Sequence, residues 1–191
     1  MRDEISFGLG LRDPMEEKAS RTPRRAYGDR SIKTNLQIAL LRSLRIPARY
    51  HYVRAKGDIL KGLSPKFIVD RFPMDMGYFW CECYLSGQWI ACETLIDEPL
   101  YKGMLSEGLV TVEQIPTIDW DGETEFILLK PWIVKDMGAF THYEESVKEL
   151  MKSGYTEEGS PPRIFMKLFG WFPYSPPNQR MNKIREGRRE E

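Results

Sequence analysis

The chain has 191 residues, 41% of them hydrophobic, enough to bury one core of ordinary domain size. Its 28 basic and 28 acidic residues cancel, so no global field directs it to nucleic acid or an anionic membrane. Three cysteines without a CxxC pair exclude a disulfide framework and a zinc spacing, and no window of ~18 consecutive apolar residues exists to span a bilayer. The opening MRDEISFGLG is charged at once and carries no signal-peptide pattern. The expectation is a soluble, cytoplasmic protein with no cofactor and no metal.

Residues 1–27 are charged and broken by Gly8, Gly10, Pro14 and Pro23, with a basic cluster of Arg21, Arg24, Arg25 and Arg30 that reads as a solvated entry segment. The clearest helix is predicted over 32–45. Ile32, Leu36, Leu40 and Leu44 recur every four residues, Ala39 and Leu41 widen the stripe, and Asp29 or Ser31 can cap the first turn. Pro47 stops it, and 48–54 reads as a strand. Residues 55–76 read as a long loop. Strands are predicted over 77–85 and 88–95, joined by Ser86-Gly87 as a two-residue hairpin loop. Residues 96–118 read as loop with one helical turn near Leu105, 125–134 as a further apolar strand, and 143–153 as a helix ended by Gly154.

The composition changes at Ser160, where prolines punctuate RIFMKLFGWFPYS. The expected division is one domain over 1–159 and a Pro/aromatic-rich C-terminal tail over 160–191, ending in a charged, frayed segment. Apolar residues at 164, 165, 168, 169, 171 and 172 imply that the tail covers something: its own domain, a protein partner, or a membrane interface.

With Ser86-Gly87 as the loop, Leu85 faces Gln88, Cys81 faces Cys92 and Trp80 faces Glu93. Alternation then puts Tyr78, Trp80, Glu82 and Tyr84 on one face beside Trp89 and Glu93, and the three cysteines on the other. Cys81, Cys83 and Cys92 read as small residues packed under the hairpin, with a redox pair or thiolate metal site as the sharper alternative. His51 and His142 read as structural or surface histidines. If an unlooked-for catalytic pair exists, it is Cys92 with one of them.

The stretch GDRSIKTNLQIALLRSLRIPAR at 28–49 resembles the G-x-C-x-x-K-x-x-L-x-x-A-L-L-R-x-x-G-I-P-A-R pattern of transglutaminase-like (papain-like cysteine hydrolase) domains. Gly28, Lys33, Leu36, Ala39 to Arg42 and Ile46 to Arg49 match without a gap. Trp80 and Glu82 match the following H-x-W-x-E piece, and Gly87 and Trp89 match G-x-W-x-x-x-D. The opening RDEISFG, DGETE at 121–125 and GAFTHYEE at 138–145 are similar to one branch of that superfamily, so the likeness covers roughly 2–145. It implies an α+β papain-like fold in which one central helix packs on an antiparallel sheet.

The resemblance places the family's nucleophilic cysteine on Arg30, its general-base histidine on Tyr78 and its orienting aspartate on Glu93. Arg45 stands where the family has a helix-ending glycine. Acyl transfer needs a thiolate activated by an imidazole; Arg30 cannot attack a carbonyl, and a phenol with a pKa of ~10 is no base near neutrality. The implied function is a catalytically inactive transglutaminase-like protein that works as a binding or assembly module, with Trp80, Glu82 and Trp89 as candidate binding residues and Arg30, Tyr78 and Glu93 joined in a polar network. The alternatives are an active cysteine hydrolase or acyltransferase with a relocated thiol, and a peripheral membrane or scaffold protein anchored by the tail. The expected partner is a protein rather than a nucleic acid.

Overall fold

Two short parallel strands, β1 (Ser6–Phe7) and β2 (Tyr27–Gly28), with a one-turn helix α1 (Thr22–Arg25) between them, lead into the central helix α2 (Arg30–Ser43). Then come strands β3 (Ala48–Lys56), β4 (Asp75–Leu85) and β5 (Gln88–Ala91), helix α3 (Glu98–Ser106), strand β6 (Ile133–Phe140), and helices α4 (Tyr143–Lys152) and α5 (Pro176–Arg185). The computed structural model describes residues 1–9, 18–66, 75–152 and 175–187. The apolar run at 164–172 of the expected tail lies outside the described residues.

The expected α+β class holds. The four-stranded sheet has the order β5-β4-β3-β6, and each neighbouring pair is antiparallel. Helix α2 packs on the face that carries Ala48, Tyr50, Cys81 and Cys83, where Ile38 meets them. The opposite face carries Val53, Ala55, Met76, Tyr78 and Trp80, closed over by Leu100 and Met104 of α3 and by Met181 and Ile184 of α5.

Asp29 caps α2, its carboxylate accepting from Ser31 N at 2.9 Å and Ile32 N at 3.0 Å. The apolar stripe of this helix needs correction. Leu40 is 46% exposed and Leu44 71% exposed. Residues four apart rotate about 40° per step on a 3.6-residue helix, so a strict four-residue repeat drifts off the seam. The buried seam bends instead through Ile38 towards Leu41. The first two turns are enclosed on several sides, burying Ser31, Lys33, Thr34 and Gln37 as well as Ile32 and Leu36.

The helix ends in a Schellman motif: Arg45 N donates to Arg42 O and Ile46 N to Leu41 O, both at 3.0 Å. Arg45 is therefore left-handed, with φ 61°, at the position where glycine is favoured. Arg45→Gly is expected to stabilise the protein by about 0.5–1 kcal/mol, net of glycine's greater unfolded-state freedom. Thermal melting should show a rise of about 1–4 °C for a chain of this size. An unchanged or lower midpoint would show that Arg45 makes contacts worth the strain.

Other boundaries differ from the sequence reading as well, and the strand expected over 88–95 ends at Ala91. The strand expected at 125–134 is β6 at Ile133–Phe140. Residues 126–129 instead run past the end of β5: Phe126 N donates to Ala91 O, and Glu93 N to Phe126 O. Pro131, without an N–H, sits in a 3-10 turn before β6 begins. The single turn expected near Leu105 is the whole of α3, which starts at an Asp97 N-cap followed by Pro99. Residues 180–187, expected to fray, belong largely to α5, where Met181 and Ile184 are fully buried. The segment is helical rather than frayed, because a two-residue apolar anchor and two arginine pairs fix it to α3.

Candidate functional site

The site expected from the sequence is built from the start of α2 and the β4–β5 hairpin. Gly28 lies against the first turn: a Cβ there would sit 2.7 Å from Ile32 Cγ2. Lys33 points inward, its Nζ donating to Arg2 O at 3.0 Å and Ile5 O at 2.5 Å. Burial pulls this ammonium down to about 8. Lys33 thus ties the N-terminal segment to the helix. Arg30 is the first residue of α2 and lies beside the Asp29 carboxylate, whose charge it stabilises.

The hairpin register is as expected, with Leu85 opposite Gln88, Glu82 opposite Ala91, and Cys92 N donating to Cys81 O at 2.9 Å. The expected network of Arg30, Tyr78 and Glu93 is corrected. No hydrogen bond or ion pair joins Arg30 to Glu93, and among the described residues Tyr78 Oη and Glu93 Oε1 have no hydrogen-bond partner. Glu93 Oε2 accepts from Leu128 N at 2.7 Å. The reason is that β5 ends at Ala91, and Glu93 turns to the backbone of the 126–129 segment rather than to the helix. Burial pushes its carboxyl up to about 8, and the amides of Leu128 and Leu129 offset only part of this. At neutral pH Glu93 is mostly an uncharged acid.

All three thiols are free and buried on the face that meets α2. Burial and the neighbouring Cys92 push Cys83 up to about 12. Hydrogen bonding with Cys81, then burial, raises Cys92 as well. Gln37 Nε2 donates to Cys92 O at 2.5 Å, and Thr94 Oγ1 donates to Gln37 Oε1 at 3.0 Å. These contacts hold Cys92 as a packing residue. Nothing here favours thiolate, the form that attacks carbonyls.

His51 belongs to the other face, opposite Trp80 in register, so it does not meet Cys92. Its ring stacks on Trp80 at 4.5 Å with planes 7° apart. Nδ1 lies 2.6 Å from Glu82 Oε1, and Nε2 lies 2.8 Å from Asp136 Oδ1. Arg49 Nε donates to Glu82 Oε2 at 2.6 Å, and its guanidinium lies 4.0 Å over the Trp89 ring. Trp89 packs against Tyr84 edge to face at 5.3 Å. Both ring nitrogens of His51 are engaged, so neither is free to take a proton from a nucleophile. His142 lies exposed at the start of α4, its backbone N donating to Glu145.

Of the three residues expected to bind, Trp80 and Glu82 therefore point into this cluster and are buried. Trp89 is 39% exposed and Tyr84 41% exposed. Arg49, Tyr84 and Asp136 were missed. Strand alternation places Tyr84 on this face without marking it as a contact residue, and Arg49 and His51 alternate on the facing strand. Asp136 was hidden by the misplaced strand at 125–134.

Among the described residues no three His, Cys, Asp or Glu side chains group so as to hold a metal ion. No helix among them is long and apolar enough to cross a membrane.

Residues 1–94 match the family model of the transglutaminase-like superfamily. No curated protein matches the chain, and no solved structure does.

Proposed function

We propose that this protein, a member of the transglutaminase-like superfamily through residues 1–94, is inactive in the family's acyl-transfer chemistry and works as a protein-binding or assembly module. One observation carries the reading. The positions matching the family's catalytic residues hold Arg30, Tyr78 and Glu93, while all three cysteines of the chain are buried in the α2 interface. A nucleophile would need a thiolate next to an imidazole. The chain offers buried thiols on one face, with Cys83 and Cys92 raised in pKa, and a doubly engaged imidazole on the other.

The binding surface in this reading is the hairpin end, where Tyr84 and Trp89 are exposed and Arg49 lies over the Trp89 ring. Aromatic and arginine side chains together are the anchors most often found at protein interfaces. The alternative of an active enzyme with a relocated thiol lacks a surface cysteine to carry it. A tail-anchored scaffold would depend on residues 160–174, outside the described region. A cytoplasmic setting fits three unpaired cysteines.

In native buffer at pH 8, iodoacetamide is expected to modify none of the three cysteines faster than global opening allows. In denaturant all three should react. A panel of amide and ester substrates should show no turnover. One rapidly alkylated cysteine in the folded protein, with turnover lost on its mutation, would return the protein to the enzymes.

A further inference from the structure

His51 sits on β3, between the two strands that flank it. Glu82 reaches it from β4 and Asp136 from the edge strand β6, at 2.6 and 2.8 Å. The two carboxylates are held differently. Glu82 is enclosed and accepts a second bond, from Arg49 at 2.6 Å. The Asp136 side chain is 66% exposed, and its other partner is Gly138 N at 2.7 Å. A β-bulge brings Asp136 there. Val53 pairs with Asp136 and Tyr52 with Gly138, so Met137 is the extra residue. Gly138 has φ 93°, a conformation open to glycine.

We infer that His51 is a proton-operated latch that holds the edge strand β6 against β3, closed when both ring nitrogens carry protons and open at Asp136 when one is lost. The imidazolium donates from both nitrogens, whereas neutral imidazole has one donor and one lone pair. A lone pair facing a carboxylate oxygen repels it. Glu82 cannot leave, because Arg49 and burial hold it, so the remaining proton stays on Nδ1. Asp136 can turn into water, so the β6 contact is the one that yields.

The charged groups facing His51 are Glu82 from β4, Asp136 from β6 and, through Glu82, Arg49 of its own strand. Burial opposes the imidazolium, but the two carboxylates outweigh it and raise His51 above 6.5. Burial likewise pulls Glu82 and Asp136 upward, yet the hydrogen bonds they accept hold both below their usual ranges. The signs follow. A histidine raised by folding contributes stability in full below 6.5 and loses it as pH rises through the folded value. The lowered carboxyls contribute above 4.5 and 3.8 and lose it on further acidification. The latch is closed between those limits and opens on the alkaline side.

The test follows the His51 ring by NMR, assigned against His51→Gln, together with amide exchange along β6 as a function of pH. The expected midpoint lies above 6.5. Past it, amides at 138–140 should exchange about two- to fivefold faster than the intrinsic pH dependence allows, the range for a solvent-accessible ion pair. Asp136→Asn, at an exposed side chain, should fold, lower the His51 midpoint and abolish the β6 step. A midpoint at or below 6.5 overturns the latch. So does β6 protection that ignores His51 protonation, or an Asp136→Asn protein that keeps both midpoint and step.

Discussion

Glu93→Gln is expected to make the protein more stable at neutral pH, by up to about 3 kcal/mol at pH 7, less the cost of an amide N–H group left without a partner. Glu93 is fully enclosed, one oxygen bonded to Leu128 N and the other without a partner among the described residues. Its folded pKa of about 8 lies above the ordinary 4.5. The folded state therefore holds a proton that the unfolded state has lost. Stability from this group is greatest below 4.5 and declines as pH rises to about 8, at about 1.4 kcal/mol per unit. Glutamine keeps the shape and the acceptor for Leu128 N without the titration. Chemical denaturation of both proteins between pH 5 and 8 checks this: the wild type should weaken steeply and the variant much less. A residual slope belongs to Asp29, raised by burial, and to His51. Parallel pH profiles for the two proteins would show that Glu93 is ionised in the fold and finds a cation.

Removing α5 by ending the chain at residue 174 is expected to abolish cooperative folding. Met181 and Ile184 are fully buried against the core above the sheet, and each contributes about 1.5–3 kcal/mol. Arg185 holds the buried Asp97 through Nε at 2.9 Å and Nη2 at 2.7 Å, and it also donates to Phe7 O. Asp97 in turn caps α3 and accepts from Phe7 N at 2.9 Å. Stranding this carboxylate costs about 3–5 kcal/mol. Arg180 pairs with Glu107 and donates to Gly62 O. Together these losses approach the whole stability of a typical domain.

A finer probe is Gly103→Ala. A Cβ there would sit 2.2 Å from Ile184 O, so α5 must shift, although alanine favours the α3 helix by about 1 kcal/mol. Far-UV circular dichroism and urea unfolding would report both variants. A truncated chain that still melts in one sharp transition would show that α5 is dispensable.

Much of the architecture was present in the residues themselves. The Asp29 cap, the length of α2 and the hairpin at Ser86-Gly87 are local, each set by a side chain bonding within a few positions or by a turn that only some residues allow. The period of two then placed the cysteines and the Tyr78, Trp80 and Glu82 side chains on opposite faces without any knowledge of the fold. The Arg45 mismatch was also local, and the left-handed backbone there shows why glycine is the fitting residue.

What the tertiary structure alone decided was which polar group meets which. Glu93 was assigned to Arg30 by register, but β5 ends one residue before Cys92, and a segment more than thirty positions away supplies the amides that bind it. The apolar run at 125–134 matched a strand equally well as a capping segment, because period alone cannot separate them. Moving that strand eight residues along brought Asp136 to His51. The charged C-terminal segment reads as frayed because its two buried residues, Met181 and Ile184, are sparse, and its arginines find their carboxylates about 70 to 90 positions earlier. By itself the sequence determined elements and faces. The long-range pairing of buried charges was left to the fold, since desolvation makes such pairs obligatory only once the chain has closed around them.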